Sequence, residues 1–218
     1  MTIKTGVLLS GCGVFDGSEI HEAVLTLLFL DQAGAEIICM APDIDQLHVI
    51  NHATTEKTNE KRNVLVESAR IARGEIKNLK DIKTSDLDAL ILPGGFGAAK
   101  NLCNFAIKGS DATVNSEVKR ILNEMLTAKK PIGAICIAPA LITSALSKIN
   151  PEVTIGTDKE TAAAIENMGG KHIKCNVNEI HIDKKNKIIT TPAYMCGPGI
   201  KDVAQGIEKL VKKVLELA

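Results

Sequence analysis

The sequence predicts an α/β fold: a mostly parallel sheet with helices on both faces and a late β-hairpin. Three observations predict it. Short apolar runs that read as buried strands alternate with segments of helical period along most of the 218 residues. Glycine turns end several of those runs, as at Gly11-Cys12-Gly13 and Gly94-Gly95. Near the end, Glu179–Asp183 and Lys187–Thr191 flank a polar turn, the pattern of a hairpin.

Taken in order, Gly6–Ser10 reads as the first strand. Asp16-Gly17-Ser18-Glu19 has the spacing of a capping box and opens a helix that runs to about Gln32, with Gly34 as its stop. Ala35–Met40 is the second strand, closed by Pro42. Asp43–Lys61 is polar and irregular, a surface excursion able to lie over a site. Asn63–Arg73 has helical spacing and stops at Gly74, and Asp88–Leu92 is the next strand. A short helix is expected within Gly97–Phe105 and an amphipathic one over Ser116–Ala128. Pro131–Ile135 is a strand that runs into a lone Cys136, and Pro139–Leu146 is the helix behind it. Val153–Ile155 is a short strand, and Thr157–Met168 is a helix with Thr157 as its cap and Gly169-Gly170 as its stop. Gly199–Leu217 closes the chain as a helix, with Ile200, Val203, Ile207, Leu210, Val211 and Val214 on one stripe. No repeat or linker divides the chain, so one domain over residues 1–218 is expected.

Composition narrows the function. Twenty-six basic residues balance twenty-six acidic ones, so no net field draws the chain to nucleic acid or an anionic membrane. With no Trp, one Tyr and four Phe there are few rings on which bases could stack. The six cysteines form no C-x-x-C pair and no His stands at zinc-ligand spacing, so neither metal nor cofactor is expected. The spread reads as reduced thiols, and Val7–Leu9 is too short for a signal segment or a membrane span. These features predict a cytoplasmic protein.

The chemistry centres on Cys136. A cysteine on a sharp strand-to-helix turn stands at the carboxyl edge of the sheet, where ligands of such folds bind. A free thiol is only a few per cent thiolate at neutral pH, and the helix amino terminus at residues 137 to 139 is expected to raise that fraction. The Gly95 and Ile137 amides are the candidate oxyanion hole, with Gly94 beside them. Glu19 and Glu22 share a face of the first helix and would overhang the same edge, where either acid could carry a proton for the thiol. Glu19 also fits the capping box, and Glu22 also suits the helix dipole. Cys12 either lines the pocket or fills its turn. Gly11–Gly17 imitates a dinucleotide loop, but its last glycine falls one residue late. His181-Ile182-Asp183 alternates on a strand and could supply part of a triad, or be a solvent-facing stripe.

Ser10–Ala23, Leu92–Leu102, Cys136-Ile137-Ala138-Pro139 and Thr190–Met195 together resemble the class I glutamine-amidotransferase-like superfamily, on its PfpI and deglycase side. Within it they are most similar to the ElbB group, the isoprenoid-biosynthesis amidotransferase-like proteins. The resemblance implies a flavodoxin-like three-layer sandwich and a homodimer. It places the nucleophile on Cys136, the acid that touches it on Glu22 with Glu19 as pocket neighbour, and the oxyanion amides on Gly95 and Ile137. It implies a small aldehyde substrate: glyoxal converted to glycolate without glutathione, with deglycase-like activity beside it. Many members carry a histidine next to the cysteine or about twenty residues later; here those positions hold Ile137 and Gly156. Alternatives are a redox-sensing or non-catalytic protein with an oxidisable cysteine, and an amidotransferase-like subunit that needs a partner.

Overall fold

The computed structural model describes residues 2–218. In chain order its elements are β1 (Lys4–Leu8), α1 (Ile20–Gln32), β2 (Glu36–Ala41), α2 (Val64–Ile71), β3 (Lys77–Asn78), β4 (Ala89–Leu92), α3 (Phe96–Lys100), α4 (Phe105–Lys108), α5 (Ser116–Thr127), β5 (Ile132–Ile135), α6 (Ala138–Leu146), β6 (Glu152–Val153), α7 (Lys159–Asn167), β7 (Lys171–His172), β8 (His181–Asp183), β9 (Ile188–Thr191) and α8 (Ile200–Leu217). Seven strands form one sheet in the order β3-β2-β1-β4-β5-β9-β8, parallel except for the β8–β9 hairpin. This is the α/β architecture the sequence predicts. Strand order reverses between β1 and β4, and the crevice opened by such a reversal is where ligands of parallel sheets bind.

Alternation along the strands sends side chains to both faces. Leu90 and Leu92 of β4 join one core cluster with Val118 and Leu122 of α5 and Leu141 of α6. Ala89 and Ile91 join the other, with Leu30 of α1 and the α8 stripe Val203, Ile207, Leu210, Val211 and Val214. Gly133 in β5 lets α8 approach: a Cβ there would meet Leu210 Cδ2 at 2.9 Å. α1 leaves Ile20, Val24 and Leu28 exposed one turn apart on a single face.

Several boundaries differ from expectation, each for a local reason. The first helix starts at Ile20, and its cap is Glu19 rather than Asp16, because Glu19 Oε2 accepts from the Glu22 amide at 2.7 Å. Asp16 instead accepts from the Ile50 amide at 2.7 Å. α7 is capped by Asp158, not Thr157. The strand expected near Val153 is β6, which pairs with β7 in a separate two-stranded sheet. The edge strand β3, two residues long, is too short to leave a period in sequence.

Leu210 is fully buried against β5, so Leu210→Ala is expected to cost about 2–5 kcal/mol of stability, measured by denaturant unfolding.

Candidate active site at the carboxyl edge of the sheet

Three loops that follow β1, β4 and β5 converge beside the reversal in strand order. The one after β5 carries Cys136 at φ 62°, left-handed backbone that costs a non-glycine residue on the order of 1–3 kcal/mol. Its amide donates to Thr191 O of β9 at 2.9 Å, and α6 starts two residues on at Ala138 with Pro139 in its first turn. This is the strained elbow that exposes a nucleophile above a sheet.

The Cys136 thiol lies beside the Glu22 carboxyl and close to the Gly95 and Ile137 amides. Glu22 is fully buried. Its Oε2 accepts from the Gly94 amide at 2.9 Å and its Oε1 from the Tyr194 amide at 3.3 Å. Glycine is required at two points. A Cβ on Gly94 would lie 2.6 Å from Cys136 Cβ and 2.7 Å from Glu22 Oε2. Gly95 has φ 93°, and a Cβ there would strike the Glu19 amide nitrogen at 2.3 Å. The Pro-Gly-Gly turn is thus built to bring thiol, carboxyl and two main-chain donors together.

Burial dominates the electrostatics. Glu22 is pushed up to about 8, first by desolvation and then by the neighbouring Glu19 carboxylate; the Gly94, Cys136 and Tyr194 hydrogen bonds oppose the shift. Glu19 is raised as well, by burial. The Cys136 thiol is pushed well above its ordinary value by burial, then by the charge and hydrogen bond of Glu22, against the two amides. The expectation that a helix amino terminus would favour the thiolate is therefore corrected: desolvation beside an acid outweighs it. At neutral pH the pair holds both protons, and near pH 8 it loses one. The thiol keeps the proton that remains, because burial and the Glu22 charge hold it well above its ordinary value.

Cys136 is only 8% exposed, yet it opens onto a cavity of about 630 Å³. Glu19, Gly95, Ile137 and Tyr194 share that cavity. Its far side comes from α3, α4 and α7, with Phe96, Phe105 and Glu160. No lysine, arginine or histidine lines it. Among the described residues no cluster of His, Cys, Asp or Glu could hold a metal ion.

Other sequence candidates lie elsewhere. Cys12 does not line the cavity; it pairs with Ser18 in an isolated bridge and lies near Glu67 and Arg70. The Gly11–Gly17 loop spends its glycine amides within the protein, Gly11 N on Ser68 Oγ, Gly13 N on Ser18 O and Gly17 N on Gly13 O, so they are not free to hold a pyrophosphate. The excursion from Asp43 lies over that loop rather than the cavity: Gln46 reaches Asp16 O and His52 accepts from Phe15 N. His181 meets Glu152 at 3.2 Å, and Asp183 accepts from the Glu152 and Asn186 amides, so both serve the hairpin. Gly156 leaves no room for a side chain, since a Cβ would stand 2.9 Å from Cys196 Sγ. Sequence reasoning missed Tyr194, whose hydroxyl is 2.7 Å from His21 Nδ1. Its place just after the end of β9 was the available signal. The contributions of α4 and α7 had none.

A family model described as DJ-1/PfpI matches residues 12–168. The rat ES1 protein homolog, mitochondrial, is 50% identical over 98% of this chain and 84% of its own length. The human glutamine amidotransferase-like class 1 domain-containing protein 3, mitochondrial, is 49% identical over 98% of this chain and 83% of its own. The crystal structure of an isoprenoid biosynthesis protein with amidotransferase-like domain from Ehrlichia chaffeensis superposes with TM-score 0.92 at 38% identity, covering 99% of this chain and 100% of that one. Glyoxalase III from Candida albicans is similar in fold alone, with TM-score 0.61 at 14% identity over 99% and 97% of the two chains. The cytoplasmic expectation is overturned by these relatives: the rat and human proteins are named as mitochondrial, as is the zebrafish ES1 protein. Absence of a recognised leader was too weak a basis for it.

The raised Glu22 fixes the sign of a pH effect. A carboxyl near 4.3 in the unfolded chain and near 8 in the folded one leaves the native state holding the extra proton between those values. Stability is then greatest below about pH 4.3 as far as this group is concerned, and falls as pH rises to 8, by at most about 1.4 kcal/mol per unit. Glu22→Gln is expected to flatten that fall, so the variant gains on wild type between pH 5 and 8 in paired thermal or denaturant unfolding. Parallel pH profiles would contradict the assignment.

Proposed function

The chain belongs to the DJ-1/PfpI family, and we propose that within it this protein is a cofactor-free, glyoxalase-like enzyme in which Cys136 attacks small α-dicarbonyl aldehydes. The observation that carries the reading is a thiol on a strained elbow that packs beside a buried acid and the Gly94-Gly95 turn and opens onto a cavity.

The steps follow from those contacts. Glu22 as carboxylate takes the thiol proton while sulfur bonds to one aldehyde carbon of glyoxal. The carbonyl electron pair moves to oxygen, which the Gly95 and Ile137 N–H groups can hold once the sulfur no longer needs them. Glu22 returns its proton to that oxygen, giving a hemithioacetal. It then removes the hydrogen on the same carbon and delivers it to the neighbouring one, as the hydroxyl proton passes between the two oxygens. The result is a thioester of glycolic acid. Water, deprotonated by Glu22, displaces the sulfur, so glyoxal plus water becomes glycolate and the thiol is restored. A base poised near 8 suits this traffic at neutral pH. Deglycase-like action would enter through the same hemithioacetal.

Rival readings fit less well. A glutaminase needs a cation for the substrate carboxylate and an acid for departing ammonia, and the cavity lining has no lysine, arginine or histidine. Oxidative sensing favours exposed, low-pKa thiols, whereas Cys136 is buried and raised.

A homodimer is part of this proposal, with the exposed α1 stripe Ile20, Val24 and Leu28 as its surface. Sedimentation is expected to give a dimer for wild type and a monomer for Leu28→Arg; a wild-type monomer at tens of micromolar would remove this part. For the chemistry, Cys136→Ala is expected to lower glyoxal-to-glycolate turnover at least about a hundredfold. Turnover by the variant equal to wild type would reject the mechanism.

A further inference from the structure

The walls of the cavity say more than its floor. We propose, building on the aldehyde reading above, that its substrate is a neutral α-oxoaldehyde bearing an apolar aryl or branched alkyl group, and that the cavity discriminates against carboxylates. Size is the first argument. About 630 Å³ lies in the range that holds a drug-sized ligand, and a dialdehyde of four heavy atoms would leave most of it to water. The second is the lining itself. Phe96, Phe105, Ala106, Ile137 and Met195 present hydrocarbon to the cavity that Cys136 shares.

Charge is the third argument. The carboxyls that line the space are Glu19, mostly buried, and Glu160, exposed in the first turn of α7, and no cationic side chain lines it. Lys100 of α3 is not itself a lining residue: its Nζ stands 4.6 Å over the ring of Phe96, which does line the cavity, and donates to Phe15 O at 3.3 Å. A carboxylate entering here would lose hydration without gaining a partner, and would meet like charge. The same field acts on the product. A neutral aldehyde enters and a hydroxy-acid anion forms, so the carboxyls that refuse anionic substrates also favour release.

Two measurements separate this inference from the activity it builds on. In the first, Cys136 is alkylated by N-benzyl iodoacetamide, iodoacetamide and iodoacetate, followed by peptide mass spectrometry. Each rate is divided by the rate with N-acetylcysteine. We expect the benzyl reagent to exceed iodoacetamide at least tenfold and iodoacetate to fall at least tenfold below it, with Glu160→Lys restoring much of the iodoacetate rate. Equal normalised rates would overturn the inference. In the second, turnover of glyoxal, phenylglyoxal and 4-carboxyphenylglyoxal is compared. A kcat/KM order of phenylglyoxal, glyoxal, then the carboxyl analogue supports it, and Phe105→Ala should lower the phenylglyoxal-to-glyoxal ratio. Glyoxal turnover with no gain for phenylglyoxal, or no loss for its carboxyl analogue, would overturn it and leave the aldehyde function standing. If no aldehyde is turned over but the alkylation selectivity holds, the function falls and the cavity's preference stands.

Discussion

The burial of Glu22 against Cys136, in a place almost free of water, is the constraint on which the rest of the site depends. In water a carboxyl would be ionised at neutral pH and a thiol would not, and neither would influence the other greatly. Burial changes the order of events. It makes each charge costly, so the acid keeps its proton until about pH 8 and the sulfur keeps its own for longer. Backbone donors from Gly94 and Tyr194 lower the cost of the Glu22 carboxylate, so the acid ionises before the thiol.

The fold supplies this arrangement by geometry rather than by side-chain chemistry. β1, β4 and β5 are neighbours in the sheet, so the segments that leave their carboxyl ends emerge close together. The reversal of strand order at β1 and β4 opens the space into which α1 directs Glu22. Two missing Cβ atoms, at Gly94 and Gly95, set the separations, since a methyl group at either would collide with the acid, the nucleophile or the start of α1. Strain at Cys136 is held by its amide on Thr191 and by α6 behind it. The site thus stores unfavourable backbone and unfavourable protonation, both offset by two apolar clusters on the faces of the sheet.

Much of this was legible in residues. Pro-Gly-Gly after an apolar run, and a lone cysteine between a strand and a proline-started helix, mark two strand ends whatever the fold. Helical spacing put Glu19 and Glu22 on one face, and the family resemblance placed the acid on Glu22. What failed was what depends on neighbours distant in sequence. Asp16 had the spacing of a cap, but Ile50 claims it across 34 residues. The helix dipole argument for Cys136 was local, and it lost to desolvation by segments no local pattern reveals. The α7 wall of the cavity arrives through a crossover and a separate pair of short strands, for which no motif exists. Tyr194 offered only its place just after β9, because its main-chain N–H, not its ring, reaches Glu22.

The absence of a histidine from the cavity then gains a physical meaning. An acyl transfer that expels an amine needs a group to protonate the leaving nitrogen, and a carboxyl held near 8 by burial would have to give up its proton at the moment it is needed to activate the thiol. Addition to an aldehyde has no leaving group, and in the proposed sequence every later proton passes through one carboxyl. A single acid with a raised pKa can perform those transfers in sequence, because each returns it to the state the next requires. On the aldehyde mechanism proposed above, the imidazole that other thiol chemistries depend on is unnecessary. Its positive charge would also draw in the anions that the proposed selectivity of the cavity excludes.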